Sequence, residues 1–177
     1  GRDRGGRADG GGYGGGAGRQ GGGGGGAAGG VGRGGGGGEA VIGGLGTHEG
    51  VDRLSAASGG RPVDALLANA GRGLGNAFLD QDLERALEVI DVNVSGTVSL
   101  IHRVGNRMRA RNAGRILITG SIAGFIPGSF QAVYNASKAF LDSFSWALRH
   151  ELTETDVTGT CLMPGPTDPQ CLSRIPT

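Results

Sequence analysis

Residues 115–138 read RILITGSIAGFIPGSFQAVYNASK. The run opens with an apolar segment of strand length, Arg115 to Thr119, closed by Gly120 and Ser121. A loop broken by Gly124, Pro127 and Gly128 follows. A helix is then expected from about Gln131 to Glu151, with Val133, Phe140, Phe144, Ala147 and Leu148 as its inner face. Val157 to Met163 reads as the next strand, stopped by Pro164-Gly165-Pro166.

Working upstream, Val63 to Ala68 is another apolar run of strand length, ending in Asn69-Ala70-Gly71. Between it and residue 115, apolar residues recur at 83, 87, 90, 94, 98, 101, 104 and 108, a helical stripe with a break near Asp91. Asp80, Asp82 and Glu84 suit the positive end of that helix. Glu49 to Ser58 predicts a short helix with Val51, Leu54 and Ala57 inward, broken by Gly59, Gly60 and Pro62. Strand, long helix, strand, long helix, strand predicts parallel pairing, with apolar strands covered on both faces.

In such a sheet, ligands bind beyond the carboxyl ends of the strands. Asn69-Ala70-Gly71, Ser121, and Pro164 to Thr167 all fall there, and Tyr134 opens the helix after Ser121. Lys138 is the single lysine of the chain, against sixteen arginines, and Tyr134 is one of two tyrosines. Four residues apart on a helix they share a face, setting a phenol beside an ammonium. A lysine is a compact point charge able to join a proton relay, which the rigid arginine fork does less well.

The first fifty residues have a different composition. They hold 28 of the 41 glycines, leaving 13 in the remaining 127 positions. From Gly1 to Gly38 the large apolar side chains are Tyr13 and Val31, too few to offset the entropy of ordering so much glycine. Residues 1–48 are therefore expected to be a glycine-rich, low-complexity and disordered segment, and 49–177 the folded domain.

The net charge is +1, and the first fifty residues carry five arginines against four acids, which argues against nucleic acid as a partner. Arg4-Gly5-Gly6 resembles a spacing of RNA-binding tails, but the motif has low specificity. Cys161 and Cys171 show no ligand spacing with His48, His102 or His150, so no metal site is expected and both read as reduced thiols. No apolar run is long enough for a membrane span and no secretion signal is visible, so the expectation is a cytoplasmic protein without a membrane partner.

Taken together, the motifs resemble the short-chain dehydrogenase/reductase family over roughly Glu49 to Thr167. In order they are Asn69-Ala70-Gly71, Asn93 within Asp91-Val92-Asn93-Val94, and Ser121 within Ile118-Thr119-Gly120-Ser121. Tyr134-x-x-x-Lys138 follows thirteen residues after the serine, and Pro164-Gly165 closes the series. The resemblance implies an α/β fold with a Rossmann-like doubly wound parallel sheet. It also implies hydride transfer between NAD or NADP and a small carbonyl or alcohol substrate.

By the same resemblance, Tyr134 is the general acid and base, and Lys138 lowers its pKa and bonds the nicotinamide ribose. Ser121 donates to the substrate oxygen, and Asn93 holds a water linking Lys138 to solvent. Asn69, Ala70 and Gly71 line the adenine side of the cofactor. Pro164, Gly165 and Thr167 line the nicotinamide side, together with Tyr134 and Lys138. Phe125, Ile126 and Phe130 suggest an apolar substrate wall, and core packing accounts for them equally well.

Departures from the family pattern are also legible. The threonine expected five residues after Pro164 is replaced by Pro169. The first βαβ unit and the last strand are not legible, so the sheet reads as truncated with two open edges. An alternative reading is a catalytically inactive remnant acting as an interaction module, dimerising through the long helices as a homo-oligomer.

Overall fold

The computed structural model of the chain describes residues 28–32 and 38–165. Thr167, Pro169 and Cys171, like residues 1–27, lie outside the described residues. Within the glycine-rich segment, β1 (Ala28–Gly32) pairs antiparallel with β2 (Gly38–Ile42), Ala28 opposite Ile42 and Gly32 opposite Gly38. The turn that follows buries Leu45 in the core. Thr47 then caps helix α1 (His48–Ala57), its hydroxyl accepting from the Gly50 N–H at 3.1 Å. The helix stops at Gly59 and Gly60, whose φ angles of +59° and +77° place them in the left-handed region that glycine enters without strain.

Three strands form the central sheet, β3 (Ala65–Ala68), β4 (Gly114–Thr119) and β5 (Val157–Leu162), in the order β3-β4-β5 and all parallel. Ala65 pairs with Arg115 and Ala68 with Ile118, while Gly114 pairs with Val157 and Thr119 with Leu162. This is the expected strand arrangement, with the two open edges at β3 and β5 among the described residues.

The crossover from β3 to β4 is made by α2 (Leu83–Ile90) and α3 (Thr97–Ala110), joined by a π-helical turn at Asp91–Gly96. Helix α4 (Ala132–Glu151) makes the crossover from β4 to β5. Asp82 caps α2 by accepting from the Arg85 N–H at 3.0 Å. The core gathers Leu66, Ile116, Ile118 and Val157 from the sheet against Leu100, Ile101, Val104 and Met108 of α3 and Leu141 of α4. Each such side chain withdrawn from water contributes about 1.5 to 3 kcal/mol.

Three expectations are corrected. The described helices leave one face of the sheet uncovered: alternate residues of β3 and β5 are exposed, Leu67 at 64% and Leu162 at 51%. The stripe 83-87-90 faces solvent, at 62%, 43% and 40% exposure, and α2 buries Ala86 and Val89 instead. The buried positions Ala86, Val89, Asn93, Thr97 and Leu100 recur at intervals of three and four, so the buried face runs one residue before the expected stripe. The inner face of α4 is also different from the apolar one expected. It buries Ser137, Lys138, Leu141, Asp142 and Ser145, while Phe140 is 42% exposed and stacks on the half-buried Phe144.

No described helix is long and apolar enough to cross a membrane. Among the described residues no group of three histidine, cysteine or acidic side chains could hold a metal.

Candidate active site

The carboxyl ends of β3 and β4 and the first turns of α4 meet at one place. Lys138 is the centre of it, only 5% exposed. Its Nζ donates to the carbonyl oxygen of Thr119, the last residue of β4, at 2.8 Å, and lies 5.9 Å from the centre of the Tyr134 ring. The spacing of four residues does set the phenol and the ammonium on one side of α4, with the tyrosine half-buried. Burial pushes the Lys138 amine below its ordinary pKa, and the charges of Asp142 and Cys161 act in the opposite direction.

The loop after β3 forms the facing wall. Asn69 Oδ1 accepts from the Thr119 hydroxyl at 2.8 Å, tying the ends of β3 and β4 together. Gly71 sits close to the lysine: a β-carbon there would lie 3.4 Å from Asn93 Oδ1 and 3.5 Å from Lys138 Nζ. Gly73 approaches the Tyr134 ring in the same way, at 3.8 Å. Arg72, between them, pairs its guanidinium with Glu88 at 2.6 Å.

Asn93 is fully buried in the π turn, where an apolar stripe gave no reason for an amide. Its Oδ1 accepts from the Arg72 N–H at 2.8 Å, and its Nδ2 donates to the Arg72 carbonyl at 3.0 Å and to Ser137 Oγ at 2.9 Å. The side chain thus fastens the 69–73 loop to α4, and both of its amide hydrogens are used in doing so.

Ser121 is buried at the end of β4. Its Oγ accepts from the Ala123 N–H at 3.1 Å and starts the 3-10 turn Ile122–Phe125. The hydroxyl lies 3.5 Å from the Pro164 carbonyl oxygen, the outer limit of a hydrogen bond, so its donor is only weakly engaged. Pro164 O also accepts from the Ile122 N–H at 3.2 Å, and a β-carbon on Gly165 would touch Ile122 Cδ1 at 3.6 Å. The loop before Tyr134 carries Phe125, Ile126 and Phe130 exposed, at 66%, 54% and 64%. Phe130 adopts φ +65°, an uncommon conformation for a bulky side chain.

The structure therefore brings Asn69, Ala70, Gly71, Asn93, Tyr134 and Lys138 to one side of the sheet's mouth. Ser121, Pro164 and Gly165 stand together at the ends of β4 and β5. Sequence reasoning missed Asp142, Ser137 and the Thr119 carbonyl. Asp142 was findable, because it stands four residues after Lys138 and so continues the face that Tyr134 begins.

The chain is similar to known proteins over most of its length. A family model described as short chain dehydrogenase matches residues 47–176. An uncharacterized oxidoreductase of Myxococcus xanthus is 38% identical over 119 residues, covering 67% of this chain and 46% of the relative. A Haemophilus influenzae protein named "Probable NADP-dependent dehydrogenase" is 38% identical over 108 residues, 60% of this chain and 43% of that protein. Among solved structures, the closed form of serine dehydrogenase complexed with NADP+ superposes with a TM-score of 0.64 at 33% identity. That match covers 68% of this chain and 50% of the other. The chain spans about half the length of these relatives. With its Rossmann-type parallel sheet and a family match across most of its length, the chain belongs to the short-chain dehydrogenases/reductases.

Proposed function

We propose that the chain carries the proton-handling half of an NAD- or NADP-dependent oxidoreductase acting on a small carbonyl or alcohol. The observation that carries this reading is the buried Lys138, held to the end of β4 and 5.9 Å from the Tyr134 ring, with Gly71 opposite. A desolvated ammonium has little structural reason to be there, and perturbed charges in a cleft mark functional sites. The residues fit a dinucleotide: Gly71 leaves open the space a side chain would fill, and Lys138 keeps donors beyond the one given to Thr119. Asn69, Ala70 and Gly71 border the adenine side, and Pro164 and Gly165 the nicotinamide side, with Thr167 assigned there on sequence alone.

When bound, the nicotinamide supplies or accepts the hydride. Tyr134 holds the proton at its phenol oxygen, giving it to the substrate oxygen in reduction and taking it back in oxidation. The Lys138 ammonium, 5.9 Å from the ring centre, offsets the negative charge that develops on that oxygen. Ser121 turns its weakly held hydroxyl from Pro164 O toward the substrate oxygen as charge grows there. Asn93 keeps the 69–73 loop against α4, and a water linking Lys138 to solvent would use the remaining lone pair of its Oδ1.

The family match beginning at residue 47 supports placing the catalytic domain at 49–177, after the glycine-rich 1–48. Exposed Phe78, Leu79, Leu83 and Leu87 along α2 and its approach support a homo-oligomer through the long helices. A cytoplasmic location fits the free thiol of Cys161. The test is titration of the chain with NADH and NADPH, read by the fluorescence of the reduced nicotinamide. Saturable binding of either is expected; none with both overturns the reading.

A further inference from the structure

A second charged group is buried beside the lysine. Asp142, one turn further along α4, is 4% exposed. Its Oδ1 accepts from the Ser121 N–H at 3.3 Å and lies 3.7 Å from the Cys161 Sγ. Its Oδ2 is buried and has no hydrogen-bond partner among the described residues. Burying a carboxylate with so few donors is costly unless another charge compensates it.

The surroundings are shaped for that carboxylate. A β-carbon on Gly120 would land on Oδ1 and one on Gly124 would land on Oδ2, so the group lies pressed between two glycine α-carbons. Gly120 follows the strand that ends at Thr119, whose carbonyl holds Lys138. The Gly120 and Ser121 junction is thus fixed from both sides, by the ammonium on Thr119 and the carboxylate on Ser121.

We propose that Asp142 is a positioning residue, the buried counter-ion of Lys138, whose carboxylate also clamps the main chain of Ser121. This rests on the function proposed above, since it assigns Asp142 the upkeep of two of its groups. Burial alone would drive the Lys138 amine toward neutrality, and a neutral amine does nothing for the phenol. The negative charge one turn away keeps it an ammonium. Because the same carboxylate holds the Ser121 N–H, the hydroxyl that meets the substrate and the cation that serves Tyr134 are set by one group. Among the described residues, the other titratable groups around the pair are Tyr134 on α4 and Cys161 on β5. The end of β4 and the turn after it present main-chain atoms and Gly120 and Gly124, the π turn presents neutral Asn93, and Arg72 is already paired with Glu88.

The single lysine makes the test direct, because a chain isotopically labelled at the lysine ε-carbon gives one signal that belongs to Lys138. In Asp142→Asn that signal is expected to titrate at a pH lower by about one pH unit or more, the effect of removing an opposite charge buried one turn along the same helix. An unchanged midpoint in a variant with native amide dispersion overturns the proposal. Should Asp142→Asn not fold, the unsubstituted chain decides. The Lys138 signal and the Ser121 amide are expected to share one inflection as the chain is acidified. A flat acid limb for both overturns the proposal. These readouts need no dinucleotide, so they separate failure here from failure of the nicotinamide reading, which the NADH and NADPH titration reports alone.

Discussion

Asn93 Nδ2 donates to Ser137 Oγ at 2.9 Å, a buried bond spanning 44 positions that joins the π turn to the residue beside Lys138. Asn93 is also the clamp on Arg72, so one side chain ties the 69–73 loop to α4 beside the lysine. Replacing Asn93 with Ala leaves the Arg72 peptide and the Ser137 hydroxyl without this partner. Stability is expected to fall by about 1 to 3 kcal/mol, measured as a lowered denaturant midpoint.

Tyr134→Phe keeps the ring that Gly73 packs against and removes only the hydroxyl. Turnover is expected to drop by about a hundredfold to ten-thousandfold with dinucleotide binding retained, since the loss is of proton transfer. Equal binding and equal turnover in the variant would remove Tyr134 from the reaction.

Gly71→Ala separates fold from site. The added β-carbon meets Asn93 Oδ1 and Lys138 Nζ at ordinary contact distances of 3.4 and 3.5 Å, so the fold accommodates it. The unfolded chain loses freedom, and stability is expected to rise by up to about 1 kcal/mol. Dinucleotide affinity is expected to fall, because the methyl occupies the space next to the lysine. Calorimetry of binding and of unfolding on the same variant checks both directions.

Ser121→Ala removes a cap and a donor together. The 3-10 turn loses its bond to Ala123 N–H, costing about 1 kcal/mol. Turnover is expected to fall by about a hundredfold to a thousandfold, as for other donors to a developing oxyanion. Ser121→Thr, which keeps the hydroxyl, is expected to recover the stability.

Lys138 predicts an alkaline rise in stability. Its folded-state pKa lies below the ordinary 10.5, with burial the first cause. Below the folded value both states carry the proton, and above 10.5 neither does. Between them only the unfolded chain is protonated, so the folded state gains stability as pH climbs through that window. Urea unfolding across the alkaline range is expected to show the rise, and Lys138→Met to abolish it.

The sequence by itself determined the parts that depend on local period and spacing. The apolar runs at β3, β4 and β5 could be little else but strands, and Tyr134 and Lys138 share a face on any helix that spans both. The break near Asp91 was legible as a break. Its form, a π turn, was not, and α2 buries Ala86 and Val89, one position before Leu87 and Ile90 of the expected stripe.

Only the tertiary structure decided what each face meets. Helix α4 turns Ser137, Lys138, Asp142 and Ser145 inward and leaves Phe140 at the surface, against the apolar pattern. For Lys138 and Asp142 it does so because the end of β4 offers the Thr119 carbonyl, the Ser121 N–H and two bare glycine α-carbons, while Ser137 and Ser145 donate back to carbonyls of α4 itself. Periodicity records which residues lie side by side along an element. Whether a buried amide or carboxylate finds its partner depends on segments far apart in the chain, and that pairing exists only once the sheet and helices have come together.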